Sequence, residues 1–576
     1  MPKKDNPGNP NNPPTDPTPE PTPEPTPTPA PSSGNIIIDP VTRIEGHLRV
    51  ETAVSGGKVS NAWSTSPLFR GIEPILKNRD PRDAWMLTQR LCGVCTYVHG
   101  ITSIRSVEDA VGVAIPDKAR VIRNLLMGAQ WIHDHIVHFY QLHLLDWVDI
   151  TSALNADPTQ AASVDKQIYS GRNRTAAYFS GVKQRLQTFV GSGQLGPFAN
   201  GYWGHAAYIL SPEENLVMMA NYLEALRIQI NAAHMHAILA GKNPHPHGLI
   251  VGGVPLNKDL TSARISEFAS ASNAARDFVT TCYLPDATWL AARYSDYATI
   301  GGSENLMSFG EFPLGGAEPD SLYFPRGAIF NRQTGSVQPV DTSQISEHVT
   351  HSWYSGSALH PAEGQTVPNY TGINTSNKYS WIKAPRYQGQ PMEVGPLARV
   401  MVNYGKGHQA TVQTVNAFLQ KAGLSLAGMY STIGRTASRA IETKIIADAM
   451  GSWISQLTPS MQTSEMPFRS TFTMPDAGAG VALNEAPRGA LGHWLNFSGG
   501  KIVNYQMVVP STWNFGPRDS ANVPGPVEQA LIDTPVADQA RPLEVLRVVH
   551  SFDPCIACAV HVFDPRNNQG VEVKAI

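Results

Sequence analysis

Residues Lys118–Val148, KARVIRNLLMGAQWIHDHIVHFYQLHLLDWV, carry the reading that decides the fold. Apolar residues recur at helical spacing over about eight turns, with His and Asp set among them, so the stretch predicts a buried helix lining something polar. A second long helix is predicted over Ser211–Gly241, which opens with Ser-Pro-Glu and stops at a glycine. LARVMVNYG (397–405) and SRAIETKIIADAMGSWISQL (438–457) read as helices too. Near the start, residues 36–66 alternate β-branched positions around Gly56-Gly57 and predict a hairpin. From about Tyr294 to Gln388 the chain is rich in Gly, Ser, Thr and Pro and predicts loops and small sheets. The expectation is an α+β fold, predominantly α-helical, with long central helices and small peripheral β-sheets.

The 576 residues are 41% hydrophobic and 16% charged, enough to bury a large core. A formal charge of −3 without a basic run argues against non-specific nucleic-acid binding as the main activity. No run reaches roughly 18 consecutive apolar residues, so no bilayer span is expected. Residues 1–31 hold 13 of the 46 prolines. That tract favours extended polyproline II and lacks the apolar segment of a secretory signal, so residues 1–34 read as a disordered leader. No second linker or fixed-period repeat follows, and the body from Asn35 is expected to be one interwoven unit.

Five cysteines are too few for a disulfide scaffold. Four form Cys92-Gly-Val-Cys95 and Cys555-Ile-Ala-Cys558, pairs whose spacing sets two thiolates on one side of a turn, where both can bind one soft metal ion. Each pair is followed by a histidine, His99 and His561. On spacing alone a structural zinc site and a redox disulfide pair stay open as readings. Cys282 has no partner at useful spacing and reads as a buried thiol.

Arg90-Leu-Cys92-Gly-Val-Cys95-Thr-Tyr-Val-His99 and Asp553-Pro-Cys555-Ile-Ala-Cys558-Ala-Val-His561 resemble the two signature motifs of the large subunit of nickel-iron hydrogenases. DPVTRIEGHL, LFRGIEPILKNRDPRDA, GKNPHPHGLIVGGV, EAPRGALGHW and NYQMVVPSTWN resemble further family motifs, in the family's order, and the likeness covers residues 35–576. It implies the nickel-iron hydrogenase large-subunit fold. It also implies a Ni-Fe(CN)2CO centre in which all four thiolates bind nickel, with Cys95 and Cys558 bridging to iron and Cys92 and Cys555 terminal. Cysteine at 555 places the chain outside the selenocysteine branch.

The outer shell is carried over by the same likeness. Arg488 resembles the guanidinium over the open coordination site, Pro487 the proline beside it, and Asp134 and Asp553 the acids around it. Ser511 resembles a hydroxyl donor to a cyanide, and His99 an imidazole bonded to a bridging sulfur. Glu73, the Met507 carbonyl and His561 match positions that hold magnesium. Glu45 matches the group that takes the proton from the cysteine at 555. Read without the likeness, most of these would be turn residues or surface charges.

The implied activity is heterolytic cleavage of H2 to protons and electrons, in the uptake direction. No cysteines remain for electron-transfer clusters, so an iron-sulfur small subunit is implied as partner. The fifteen residues after His561 resemble the extension that a maturation endopeptidase removes once nickel-insertion proteins have loaded the metal. The expected units are then 1–34, 35–561 and 562–576. A periplasmic, membrane-associated enzyme exported with its small subunit is implied, cytoplasmic as precursor, with a membrane cytochrome or quinone-reducing subunit as further partner. The alternative readings are a non-catalytic respiratory relative, which would lack the thiolates, and a zinc-binding structural protein.

Overall fold

The structure is a computed structural model that describes residues 34–256, 259–315, 321–461 and 468–559. Residues 1–33 of the leader, His561 and the extension beyond it therefore lie outside the described residues, while Gly34, expected to belong to the leader, is the first residue of a strand.

The chain opens with strands β1 (Gly34–Ile38), β2 (Arg49–Ser55) and β3 (Lys58–Thr65) in one antiparallel sheet. Gly56 and Gly57 join β2 to β3 with φ of 61° and 76°. Two successive positive φ values make the tight turn whose twist matches a hairpin, which is why two glycines stand there. Val50, Thr52 and Val54 alternate inward along β2, the period that a half-buried strand requires.

Five helices frame the interior. Helix α1 (Val98–Val111) follows the first cysteine pair and α2 (Asp117–Val137) follows α1. The predicted helix over 118–148 does form, but after Val137 it widens into a π turn at His138–His143 and tightens into a 3₁₀ turn at Leu144–Asp146. The extra residue in a π turn rotates the side chains that follow it. Helix α3 (Pro212–Ala240) has the ends its sequence announces: the Ser211 hydroxyl accepts from the Glu214 amide at 3.2 Å, the Glu214 carboxylate accepts from the Ser211 amide at 2.8 Å, and Gly241 closes the helix at φ 82°. Helix α4 is Pro396–Gly405 and α5 is Thr432–Met461.

Helix α5 starts six residues before the predicted Ser438. Gly434 reads as a breaker, yet it sits in the first turn because a Cβ there would lie 1.9 Å from the Met429 carbonyl oxygen. Ser431 caps this end by accepting the Gly434 amide at 3.0 Å. Helix α2 packs between α3 and α5.

The second sheet, β4 (Gly478–Ala486), β5 (Gly489–Ser498) and β6 (Lys501–Val508), is a meander lying on α1. Among its described residues, the segment that reads as loops and small sheets holds six strands of three or four residues. Helix α6 (Leu543–Ser551) leads into the last cysteine pair. Helix makes up about 48% of the chain, so the expected fold class is the observed one.

The two ends of the described chain are sewn together. Val59 in β3 donates to the Thr534 carbonyl at 2.9 Å, and Glu45 pairs in parallel with Cys555, with the Ile556 amide on the Glu45 carbonyl at 2.7 Å. Among the described residues no helix is long and apolar enough to cross a membrane.

Candidate metal centre

Cys92 ends a short turn, and the amides of Val94 and Cys95 fold back onto its sulfur at 3.3 and 2.9 Å. Gln130 on α2 holds this loop, accepting the Tyr97 amide at 3.2 Å and donating to the Val94 carbonyl at 3.0 Å. Cys555 is fixed by its bridge to Glu45, and Cys558 lies one turn on in the helix Ile556–Ala559. The four sulfurs meet: Cys92 to Cys555 is 3.3 Å, Cys95 to Cys558 is 3.6 Å and Cys555 to Cys558 is 3.0 Å. All four are buried and free of disulfides, and all lie within 4.8 Å of one another.

Their electrostatics without an ion are those of a site short of positive charge. Burial pushes the Cys95 thiol up to about 11 and holds Cys555 and Cys558 well above the usual range. Cys92, against the same burial, is kept well below it by hydrogen bonds from the other three sulfurs. A bound cation would favour the ionised form of all four. Soft thiolates with no imidazole or carboxylate in the set suit a soft, redox-active metal.

Several of the polar groups to which the resemblance gives roles lie beside the sulfurs. Glu45 Oε2 accepts from Cys555 Sγ at 3.3 Å and from the Ala557 amide at 3.1 Å. Burial, reinforced by charge on Cys92, pushes its carboxyl up to about 7. Arg488 Nη1 donates to Asp134 Oδ2 at 2.9 Å, and its Nε faces Asp553 Oδ1 at 3.1 Å, outside hydrogen-bonding geometry. Despite burial, Asp553, Cys555 and Asp134 hold the guanidinium well above its ordinary pKa, so it stays charged. Burial raises the Asp553 carboxyl, and neither of its oxygens has a hydrogen-bond partner. Ser511 Oγ accepts the Cys555 amide at 3.0 Å, which leaves its own O–H to donate elsewhere.

His99, Glu73 and Met507 stand further out. His99 Nδ1 pairs with His493 Nε2 at 3.3 Å. Glu73 is buried, with Oε1 on the Met507 amide at 2.9 Å and Thr366 on Oε2. Met507 faces His493 across β5 and β6. In an antiparallel ladder the N–H and C=O of one residue point the same way, so the Met507 carbonyl also faces Glu73. Lys383 spans Glu347 and Gln506 beside it, at 3.2 and 2.9 Å. Pro487 presents its carbonyl to Arg399 Nη2 at 2.6 Å.

Two clusters escape sequence reading. Arg399, Glu442 and Glu485 form a buried ionic knot behind Pro487. The signal for it was an arginine inside the apolar run LARVMV and a glutamate on the buried face of α5. His143, Asp146 and His550 have the spacing of metal ligands. However, Asp146 is ion-paired with Arg43 and accepts from His143 Nδ1 and His550 Nδ1 at 3.1 and 2.7 Å, while His143 Nε2 lies 3.1 Å from the Thr436 hydroxyl and His550 Nε2 lies 2.9 Å from the Thr42 carbonyl. A cluster with every ring nitrogen engaged and a guanidinium already on its carboxylate is a structural tie rather than a second metal site.

Fold and site together define a redox metalloprotein with a four-thiolate centre built from both ends of a largely helical chain. A family model described as nickel-dependent hydrogenase matches residues 70–561, and a HoxL-like model matches residues 35–63. The chain is 44% identical to the uptake hydrogenase large subunit of Rhizobium leguminosarum bv. viciae, over 94% of this chain and 98% of the relative. It is 44% identical to the hydrogenase-2 large chain of Escherichia coli (strain K12), over 94% and 100%. The solved Ni-Fe-Se hydrogenase from D. vulgaris Hildenborough superposes with a TM-score of 0.75 at 32% identity, over 92% of this chain and 100% of that one. The chain belongs to the nickel-dependent hydrogenase family.

Proposed function

We propose that this chain is the catalytic large subunit of a nickel-iron hydrogenase that oxidises H2, with Glu45 as first acceptor of the proton. The observation that carries the reading is the buried four-sulfur cluster in contact with a partly buried carboxylate, Glu45, on one side, with a charged guanidinium, Arg488, in electrostatic reach of Cys555 and Cys95. When bound, a nickel-iron centre with carbonyl and cyanide ligands supplies the open coordination position for H2 and the sink for its electrons.

The chain's own groups do the rest. Cys92 and Cys555 would be terminal on nickel and Cys95 and Cys558 shared with iron. Ser511, whose Oγ accepts the Cys555 amide, would offer its O–H to a cyanide, and Arg488, paired with Asp134 and with Asp553 and Pro487 nearby, would supply a fixed positive charge beside the bound centre. Cys555 passes the proton to Glu45 Oε2 along their 3.3 Å contact. His99 would tune a bridging sulfur.

The fifth cysteine, Cys282, is buried against Tyr140 and Asp286, so electrons need a partner, and a large subunit implies a small one. An iron-sulfur small subunit fits that need. Magnesium held by Glu73, the Met507 carbonyl and His561 is supported by the inward-facing carbonyl and the buried carboxylate, hard oxygen donors of the right kind. We extend the reading, on the sequence motifs, to cleavage after His561 by an endopeptidase after nickel insertion, to a periplasmic complex and to a cytochrome or quinone-reducing partner.

The test is metal analysis with infrared spectroscopy of the matured heterodimer, since protein groups do not absorb where metal-bound CO and CN do. Nickel and iron in equal amounts with those bands are expected, and Cys92→Ser should lose nickel because a hard hydroxyl replaces a soft thiolate. Stoichiometric zinc without nickel would overturn the reading.

A further inference from the structure

Arg399, wholly buried in α4, uses all five of its guanidinium N–H groups. Nε donates to Glu442 Oε2 at 2.9 Å, and Nη2 donates to Glu442 Oε1 and to the Pro487 carbonyl, both at 2.6 Å. Nη1 donates to Glu485 Oε2 at 2.7 Å and to the Ala486 carbonyl at 2.9 Å. The Trp131 ring lies 4.1 Å from the guanidinium carbon. Ala486 pairs with Gly489, so Pro487 and Arg488 form the two-residue link between β4 and β5. Arg399 thus grips the two carbonyls that immediately precede Arg488.

Glu442 also reaches toward Asp134, the partner of Arg488. Its Oε1 also pairs with His135 Nε2 at 2.6 Å, and His135 follows Asp134, the residue that receives Arg488 Nη1. Both members of the Asp134–Arg488 pair are therefore anchored, through neighbours, to one carboxylate on α5. The link is also held by close approach, since a Cβ on Gly395 would lie 2.7 Å from the Arg488 carbonyl oxygen. Buried ion pairs seldom stabilise a fold better than apolar side chains of like size, so a saturated ionic knot of this kind answers to registry rather than to bulk stability.

We propose that Arg399 and Glu442 are positioning residues that clamp the Pro487–Arg488 link, and through it set where the Arg488 guanidinium stands over the four sulfurs. The inference rests on the reading of Arg488 given above. A lysine at 399 keeps the charge but offers three donors from one point, so it cannot serve five acceptors arranged around a planar fork. Glu442→Gln keeps the shape but turns an N–H toward Arg399 or His135.

The test uses the matured heterodimer of the wild type, Arg399→Lys, Glu442→Gln, Arg488→Lys and the double variant Arg399→Lys/Arg488→Lys. The two clamp variants are expected to hold nickel and iron at the wild-type ratio, to lose about ten- to a hundred-fold in turnover, as an ångström of misplacement does, and to shift the cyanide stretching bands. In the Arg488→Lys background, Arg399→Lys should cost no more than about two-fold further and leave the bands where Arg488→Lys put them, because residues acting as one unit do not add. A merely structural Arg399 would give equal losses in both backgrounds, and that result overturns the proposal. So would wild-type turnover with unshifted bands in both clamp variants, or failure of both to assemble with metal. Absence of nickel and iron from the wild type would instead overturn the hydrogenase reading itself.

Discussion

Glu45, partly buried, and Asp146, fully buried, are linked through Arg43, which stands two residues before Glu45 and pairs with Asp146, and their partners give the two carboxylates opposite roles. Asp146 is ion-paired with Arg43 and bonded to two histidines, so it has no idle lone pair facing the sulfurs. Glu45 has a thiol and one amide on a single oxygen, which leaves it able to take a proton from Cys555. Glu45→Gln keeps the shape and an oxygen for the Ala557 amide but cannot accept and release a proton. Turnover should fall by about two to four orders of magnitude, and D2 exchange with water should fall with it, while nickel, iron and the infrared bands stay. Near wild-type exchange in that variant would send the proton by another route. At this scale the cysteines were legible because metal chemistry fixes their spacing. Arg399 was legible only as an arginine set in the apolar run LARVMV, which marks burial but not what it grips. Its partners stand 43 and 86 residues away, and only the fold brings them to it.

Elements show why the centre needs two distant segments to touch. Gly46, at φ 89°, lets residues 42–46 run against the second cysteine pair, and a Cβ there would lie 2.5 Å from the Ala557 amide nitrogen and 3.1 Å from Ile556 Cβ. Gly46→Ala should therefore push Glu45 off Cys555 and lower nickel loading, on top of about 1–2 kcal/mol of left-handed backbone strain. Gly112→Ala separates the two effects, since Gly112 has φ 64° with nothing within 4 Å of a built Cβ. That control should lower the thermal midpoint and leave nickel content unchanged. Equal nickel content in both variants would show that the close approach does not matter. Element types followed from pattern wherever the signals were local, as at both ends of α3. They failed where tertiary contact decides: at Gly434, whose missing Cβ admits the Met429 carbonyl, and at His138–His143, where a helical run carries a π turn without any local marker.

Across the whole molecule, charge is buried where distant parts of the chain join, and this gives stability a pH dependence separate from the metal site. Glu528 sits at such a join: its Oε1 accepts the Ser64 amide of β3 at 3.0 Å and the Tyr379 hydroxyl at 2.9 Å, while Oε2 has no hydrogen bond and the nearest cation, Arg518, is 3.9 Å away. Burial, only partly offset by the Ser64 amide, Arg518 and Tyr379, pushes its carboxyl up to about 7 from an ordinary 4.5. Below 4.5 the group is protonated in both folded and unfolded chains, and pH has no leverage through it. Between 4.5 and 7 the unfolded chain releases the proton while the folded chain keeps it, so the folded state loses ground as pH rises. Above 7 the loss is complete and constant. Glu528→Gln keeps an oxygen for Ser64 and Tyr379 and has no proton to lose. The thermal midpoint of the variant relative to wild type should therefore rise between pH 4.5 and 8. The trend should be the same in metal-free and metal-loaded protein, because none of Glu528's contacts is a cysteine. A difference that stays flat, or that moves in favour of wild type as pH rises, would mean that the buried carboxylate is satisfied in its charged form and that the join is held by ion pairing with Arg518.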